Sequence, residues 1–278
     1  MRDNLLILAS GKKRIGKSHE TLKQLIFYAY VCDNRQKSLI FDINNEYGRY
    51  EIDGTFHKIK RIGSTERDIV RYSNQPQADV VRIVPIHENG RPMSSDEAEA
   101  LALRAITLFR GGILFLEDFN YLFGDSLPQK VSSALTNNAH RSCDIMITVQ
   151  SIGRLLPKML QNVNLFRFHQ QLDDVENSRD KIGKAEFPIF KIAQIMVNKR
   201  VEEGDIRFFV YVDKDAYKLR GQFSPRQLTE AIQEYLYQYP SEINLLIRRR
   251  DVSGRQLYGW EEAFRIRTIE LYRKYQGN

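Results

Sequence analysis

The segment 11–18 has the residue types and spacing of a phosphate-binding loop. It follows the pattern G-x-x-x-x-G-K-S, in which Gly11 and Gly16 allow a tight turn and Lys17 and Ser18 end the pattern. In such a loop, successive backbone N–H groups point inward at a β-phosphate. We expect Lys17 to reach the β- and γ-phosphate oxygens and the Ser18 hydroxyl to bind Mg²⁺. The predicted nucleotide-contacting residues are Gly11, Lys12, Lys13, Arg14, Ile15, Gly16, Lys17, Ser18 and His19.

Two acidic residues follow a short apolar run farther along the chain. Residues 113–116 are continuously apolar, as in a strand buried on both faces, and Glu117 and Asp118 come next. One carboxylate is expected to join Ser18 in holding Mg²⁺ and its hydration shell, and the other to orient or deprotonate a water molecule. The usual order of the two acids is Asp then Glu. Position gives Glu117 the metal role and Asp118 the base role, but the reversed order leaves this assignment open.

An alternation of strand and helix patterns supplies the framework for both motifs. The predicted strands are residues 5–9, 37–42, 79–85, 113–116, 145–149 and 165–169. The predicted helices are residues 17–33, 94–109 and 128–140, and Ser94 with Glu97 forms a capping-box pattern at the start of the second. The polar segment 63–77 predicts turns. This alternation implies a parallel sheet with right-handed crossovers.

The pattern changes beyond residue 171. Segments 207–213 and 217–223 predict a hairpin that extends the sheet, and residues 224–239 and 260–275 predict helices. We therefore divide the chain into a domain 1–223 and a basic helical extension 224–278. The extension contains three consecutive arginines, Arg248 to Arg250. Its basic residues favour a phosphate-backbone contact, a docking segment for a larger complex or a solvated helix face, and the sequence leaves these alternatives open.

Composition narrows the class of protein. The chain has 278 residues and a formal net charge of +7, so its surface should attract polyanions. Its two cysteines, Cys32 and Cys143, form no disulfide framework. We find no targeting segment and no apolar run near the roughly 18 residues of a membrane span. These observations predict a soluble, intracellular protein.

Three features in order resemble the FtsK–HerA superfamily of P-loop ATPases. They are the loop 11–18, the segment 42–47 with its Asp-x-x-x-Glu-Tyr pattern, and Gln150 at the end of the strand that follows the acidic pair. The resemblance implies an α/β fold of the RecA-like (ASCE) P-loop NTPase class, with a mainly parallel central sheet, an added β-hairpin and a C-terminal helical extension. It places Gln150 beside the γ-phosphate, where its amide is expected to hold the attacking water. Members of the superfamily lend an arginine to the neighbouring subunit's γ-phosphate. By position this arginine is Arg141, with Arg154 as the rival.

The resemblance also implies a function. In size and layout the chain is similar to viral genome-packaging ATPases. This similarity implies an ATP-driven motor that pumps double-stranded DNA, with ATP and Mg²⁺ as cofactors. The implied partners are DNA, further copies in a homo-oligomeric ring of five or six subunits, and a viral portal or capsid vertex. The implied location is the host cytoplasm or the virion. Two alternatives stay open: a zonula-occludens-toxin-like phage assembly ATPase, and an ATP-binding switch or scaffold with little turnover.

Overall fold

A single large sheet organises the chain. The computed structural model describes residues 4–52, 54–123, 131, 133, 135 and 142–277, with the side chain of Arg154 left out. Within these residues a nine-stranded sheet has the order β11-β10-β9-β1-β8-β7-β2-β6-β5, and β3 pairs with β4 in a separate antiparallel hairpin. The strands are β1 (Leu6–Ser10), β2 (Lys37–Phe41), β3 (Arg49–Ile52), β4 (Thr55–Lys58), β5 (Lys60–Arg61), β6 (Val80–Ile83), β7 (Gly112–Leu116), β8 (Cys143–Val149), β9 (Leu165–Phe168), β10 (Val210–Asp213) and β11 (Lys218–Arg220).

Helices connect the strands. They are α1 (Lys17–Ile26), α2 (Glu66–Ser73), α3 (Ser95–Leu108), α4 (Phe119–Phe123), α5 (Pro157–Asn162), α6 (Arg179–Ile182), α7 (Phe187–Glu202), α8 (Pro225–Gln238), α9 (Ser241–Ile247) and α10 (Trp260–Tyr275). A π-helical turn, Phe27–Val31, continues α1, and 3₁₀ turns span Ile152–Arg154 and Val175–Ser178. Neighbouring strands pair in parallel along the part of the sheet with the order β9-β1-β8-β7-β2-β6-β5. At the other end, β10 pairs antiparallel with β9, and β11 pairs antiparallel with β10. The predicted fold class, including the added hairpin and the C-terminal helices, is confirmed.

The central strands bury side chains on both faces. In β7, Ile113 and Phe115 pack with α1, while Leu114 and Leu116 pack in the larger core with α3 and α7. This division follows from the alternation of side chains along a strand. Because both faces are covered, β7 and β8 are fully buried and mostly apolar, with Asp144 and Thr148 as the polar residues of β8, which is why their positions are predictable from the sequence. The apolar side of α8 belongs to the same larger core.

Several local predictions are wrong or incomplete. The segment 63–77 contains α2, whose polar residues face solvent while Ile69 and Tyr72 are buried, and the Thr65 hydroxyl caps it by accepting from the Asp68 N–H. The hairpin of β3 and β4 was not predicted. Nor was α7, which is apolar on most sides because it is buried in the core, so it lacks the one-sided pattern of a surface helix. The capping box at Ser94 and Glu97 is confirmed.

Candidate functional site

The loop 11–18 lies between the end of β1 and the start of α1, as predicted. Gly16 is the N-cap of α1 and has φ 87°, a left-handed conformation that favours glycine. At Gly11 an added Cβ would lie 2.5 Å from Ile15 Cδ1 and 2.7 Å from His169 Cβ, so a side chain does not fit. Ile15 is buried and so fixes the inner side of the loop. The two glycines therefore have separate roles, one conformational and one steric.

Lys17 points back across the loop that carries it. Its Nζ donates hydrogen bonds to the carbonyl oxygens of Gly11 at 2.5 Å and Lys12 at 2.6 Å. Burial lowers the pKa of Lys17 to about 8, and the nearby carboxylates of Asp118 and Glu117 counteract part of this effect. The ammonium group thus lies at the loop, close to both predicted acids.

Glu117 and Ser18 are in direct contact. The Ser18 hydroxyl donates to Glu117 Oε1 at 2.8 Å, although the two residues lie on different elements, α1 and the end of β7. Burial raises the pKa of Glu117 to about 7, and the neighbouring carboxyls of Glu46, Asp42 and Asp118 raise it further against the effect of the Ser18 hydrogen bond. Burial and repulsion between like charges both disfavour the ionised form.

The residues around Glu117 fit a magnesium ion. Among the residues that the structure describes, none bonds to the buried Oε2 of Glu117, so this oxygen is without a partner. A hard divalent cation prefers carboxylate and hydroxyl oxygens, and Ser18 offers the second oxygen. Ser18 and Glu117 are therefore the residues that would hold Mg²⁺.

Asp118 faces a different residue from Glu117. Gln150 Nε2 donates to Asp118 Oδ1 at 3.2 Å, and the Asp118 backbone N–H donates to Thr148 Oγ1 at 3.1 Å. Asp118 has φ 44°, an uncommon backbone for a residue other than glycine. Since β8 lies between β1 and β7, Gln150 is at the carboxyl edge beside the strand that leads into the loop. The sheet therefore brings Gln150 and Asp118 together next to the phosphate-binding loop.

The segment 42–47 links β2 to the acidic pair. Asp42 is fully buried, and its carboxylate accepts from the backbone N–H groups of Glu46 at 2.9 Å and Tyr47 at 3.1 Å. Arg82 Nη1 also donates to Asp42 at 2.7 Å. The turn held in this way directs the Tyr47 hydroxyl to Glu117 Oε1, to which it donates. The Asp-x-x-x-Glu-Tyr pattern therefore positions a tyrosine against Glu117, a contact not predicted from the sequence.

Two buried basic residues beneath the loop were also missed. Arg167 of β9 is fully buried and donates to the Lys17 carbonyl oxygen at 2.8 Å and to the Thr21 hydroxyl, so it holds the first turn of α1. Neither ring nitrogen of the buried His169 has a partner within the described part of the chain. Burial, together with the charges of Arg167 and Lys17, lowers the pKa of His169 well below its usual value, which favours a neutral ring. A charged residue inside the apolar run 165–168 was the available sequence signal.

The remaining predicted residues have less defined surroundings. Lys12 donates its backbone N–H to the Gln170 carbonyl oxygen at 2.9 Å, and His19 Nδ1 lies 3.5 Å from the Tyr50 hydroxyl. Lys13 and Arg14 are exposed. Arg141 lies outside the described residues. The backbone of Arg154 is in the 3₁₀ turn that follows Gln150, but its side chain is not described.

Comparison with known proteins supports the same fold. The AMP complex of the genome-packaging NTPase B204 from Sulfolobus turreted icosahedral virus 2 is similar over 79% of this chain and 97% of that chain, with 15% sequence identity and a TM-score of 0.50. The chain therefore shares the fold of this genome-packaging NTPase. The ATP-γS complex of the same viral NTPase B204 gives 15% identity and a TM-score of 0.48 over the same shares of the two chains. The N-terminal domain of zonular occludens toxin from Neisseria meningitidis gives 14% identity and a TM-score of 0.33 over 60% of this chain and 76% of that chain.

Sequence comparison adds no closer relative, because no family model and no curated protein matches the chain. Within the described residues, every helix is too short or too polar to cross a membrane.

Proposed function

We propose that this chain is a Mg²⁺-dependent ATPase that drives double-stranded DNA during viral genome packaging. The observation that carries the proposal is the convergence of Lys17, Ser18, Glu117, Asp118 and Gln150 through short contacts at one edge of the sheet. These are the groups that phosphoryl transfer to water requires: a mobile cation, metal ligands, a base and a polar group beside the water. The fold of the genome-packaging NTPases supports this assignment.

Each residue has a proposed task in hydrolysis. Lys17 exchanges its two loop carbonyl partners for the β- and γ-phosphate oxygens of ATP. Ser18 and Glu117 would hold Mg²⁺, and the ion would supply positive charge that offsets the charge of the phosphates. Asp118 takes the proton of the attacking water, and Gln150 fixes the Asp118 carboxylate and the water next to it.

Lys17→Ala tests the nucleotide site. We expect ATP binding or turnover to be lost while the thermal melting temperature without nucleotide is retained, because the loop loses its mobile cation. Lys184→Ala, which removes an exposed lysine ahead of α7, is the control and should behave as the parent. Ordinary ATPase rates in a folded Lys17→Ala protein would contradict the site.

DNA coupling needs a separate experiment. A motor that moves along any sequence should contact phosphates rather than base edges, so linear duplex DNA should stimulate ATPase activity, scrambled duplexes should compete equally, and log affinity should fall linearly with log salt. The exposed arginines Arg248, Arg249, Arg265 and Arg273 of the extension are the proposed contacts. ATP binding without turnover, with or without DNA, would instead indicate a switch or scaffold.

We further propose that hydrolysis is completed in trans, in a ring at a portal or capsid vertex in the host cytoplasm. A guanidinium from Arg141 is expected to reach the neighbouring subunit's γ-phosphate, since its fork matches two phosphate oxygens. Arg141→Ala should bind ATP yet hydrolyse it very slowly, and mixing it with Lys17→Ala should restore some activity. If Arg141→Ala alone had full ATPase activity, and Arg154→Ala recovered activity when mixed with Lys17→Ala, the role would belong to Arg154. No recovery in either mixture, with both arginine variants active alone, would refute the shared site.

A further inference from the structure

The connection from α7 to β10 carries an arginine that no part of the proposed mechanism uses. Arg207 lies in a turn of this connection. The turn is held in place by Arg200, which donates to Asp205 at 2.9 Å and stacks 5.3 Å above the ring of the buried Phe208. The Phe208 N–H also donates to the Asp205 carbonyl oxygen at 3.1 Å. Arg207 is therefore presented from a fixed turn rather than from a loose loop.

The stem of Arg207 packs against the phosphate-binding loop. A Cβ built on Gly16 would lie 3.4 Å from Arg207 Cγ and 3.5 Å from Arg207 Cδ. Gly16 caps α1 and precedes Lys17, so this is the part of the loop that turns toward a bound phosphate. The hydrocarbon part of Arg207 thus runs along the nucleotide loop of its own subunit.

The N–H donors of the Arg207 guanidinium have no partner among the described residues. The guanidinium is exposed, and it makes no hydrogen bond or ion pair with any residue that the structure describes. Burial raises the pKa of Tyr50, and the positive charge of Arg207 partly offsets this rise, so the guanidinium lies in the electrostatic surroundings of Tyr50. The Tyr50 hydroxyl in turn lies 3.5 Å from His19 Nδ1, in the first turn of α1. The charge of Arg207 is therefore close to the end of α1 where anions bind.

Other basic residues near the loop are arranged differently. Arg167 is fully buried and donates hydrogen bonds to the first turn of α1, and Lys17 donates hydrogen bonds to the loop carbonyl oxygens. Arg207 comes from the β10 side, packs on Gly16 and keeps its planar fork exposed. A guanidinium fork matches two phosphate oxygens at once and makes charge-assisted hydrogen bonds to them.

We infer that Arg207 is a phosphate-binding residue of the nucleotide site, acting in cis on the ATP held by its own loop. This inference rests on the proposed ATP site and adds a direct phosphate contact from the α7–β10 connection, which lies outside the loop and the acidic pair. Arg207 binds the polyphosphate from its place beside Gly16. Its loss should weaken ATP binding itself rather than only the chemical step.

Binding of ATP to the full chain, measured by titration calorimetry, tests the inference. Arg207→Met keeps a stem that packs on Gly16 but removes the charge, so ATP affinity should fall about tenfold to a hundredfold, the usual range for a lost hydrogen bond to a charged group. Arg207→Lys keeps the charge without the fork and should recover part of the loss. Arg35→Met is the matched control, since it removes an exposed arginine ahead of β2, at the opposite edge of the sheet, and should bind as the parent does.

The outcomes separate this inference from the proposed function. Parent-like affinity in Arg207→Met, with binding lost in Lys17→Ala, would overturn the role of Arg207 and leave the ATP site standing. Equal losses in Arg207→Met and Arg207→Lys, together with a lower melting temperature without nucleotide, would show a structural role and overturn the inference. If mixing Arg207→Met with Lys17→Ala restored ATP affinity, the guanidinium would act in trans, and the cis assignment would be overturned. Absence of ATP binding in the parent chain would overturn the proposed function itself, and the inference with it.

Discussion

Asp42→Ala should destabilise the protein strongly, because Asp42 holds the link between β2 and the acidic pair. Its fully buried carboxylate accepts from Arg82 at 2.7 Å and from two backbone N–H groups. Alanine leaves both N–H groups without their acceptor and removes the carboxylate partner of Arg82. A buried group that loses its partner costs far more than the pair contributes when it is intact.

The structure sets the expected magnitude. Removing one partner of a buried ion pair typically costs about 3–5 kcal/mol. The Arg82 side chain is 13% exposed, and it also donates to Asn45, so water and a second partner reduce the loss. We therefore expect a decrease of about 3 kcal/mol in the free energy of unfolding, at the lower end of that range. At about 2–4 °C per kcal/mol for a domain of this size class, the melting temperature should fall by roughly 6–12 °C.

Thermal and urea unfolding of matched variants check this estimate. Glu203→Ala removes the acid of a partly exposed pair with Arg200 and should cost less than about 1 kcal/mol. Asp42→Asn keeps an oxygen that accepts one N–H but lacks the charge for Arg82, so it should lie between the two. If Asp42→Ala costs no more than Glu203→Ala, the carboxylate does not hold this turn and the reasoning is wrong.

Three further predictions concern the site. Tyr47→Phe removes the hydroxyl that donates to Glu117, so the protein should fold normally but lose about tenfold or more in Mg²⁺-dependent ATPase activity; an unchanged rate would show that the contact is incidental. Asp118→Asn should bind Mg-ATP tightly without hydrolysing it, whereas Glu117→Gln should require a higher Mg²⁺ concentration for activity. Parent-like hydrolysis in both variants would refute the acidic site. Gly11→Ala should lose nucleotide binding and about 1–3 kcal/mol of stability through overpacking against His169, and wild-type melting would contradict the close approach measured there.

The sequence predicted the parts of the site that local patterns encode. The loop 11–18, the strand before Glu117 and Asp118, and Gln150 at the end of β8 lie where the alternation of strands and helices indicated. β8 pairs with β1, so Gln150 at its end lies next to the strand that leads into the loop. Buried parallel strands leave a strong apolar signal, and a phosphate loop requires specific residue types, so both are visible without a structure.

The missed parts depend on contacts between distant segments. Tyr47 meets Glu117 across 70 positions of the chain, and Arg167 meets Thr21 across 146. No periodicity reports such pairs. The buried helix α7 was missed for a different reason, because burial on most sides removes the polar face that reveals a helix. Arg207 follows this helix, so its position beside Gly16 could not be predicted from the sequence either.

The reversed order of the two acids has a geometric explanation. Glu117, the first residue after β7, faces Ser18 and Tyr47, whereas Asp118 turns away through a left-handed backbone toward Gln150. Position along the chain, rather than the choice between Asp and Glu, therefore decides which carboxylate meets the loop hydroxyl. Glutamate at the first position carries one more methylene than aspartate, and its Oε1 receives both the Ser18 and Tyr47 hydroxyls while Oε2 stays without a partner in the described part of the chain. Aspartate at the second position is short enough to be held by the Gln150 amide. We accordingly assign the metal to Glu117 and the water to Asp118 within the proposed mechanism.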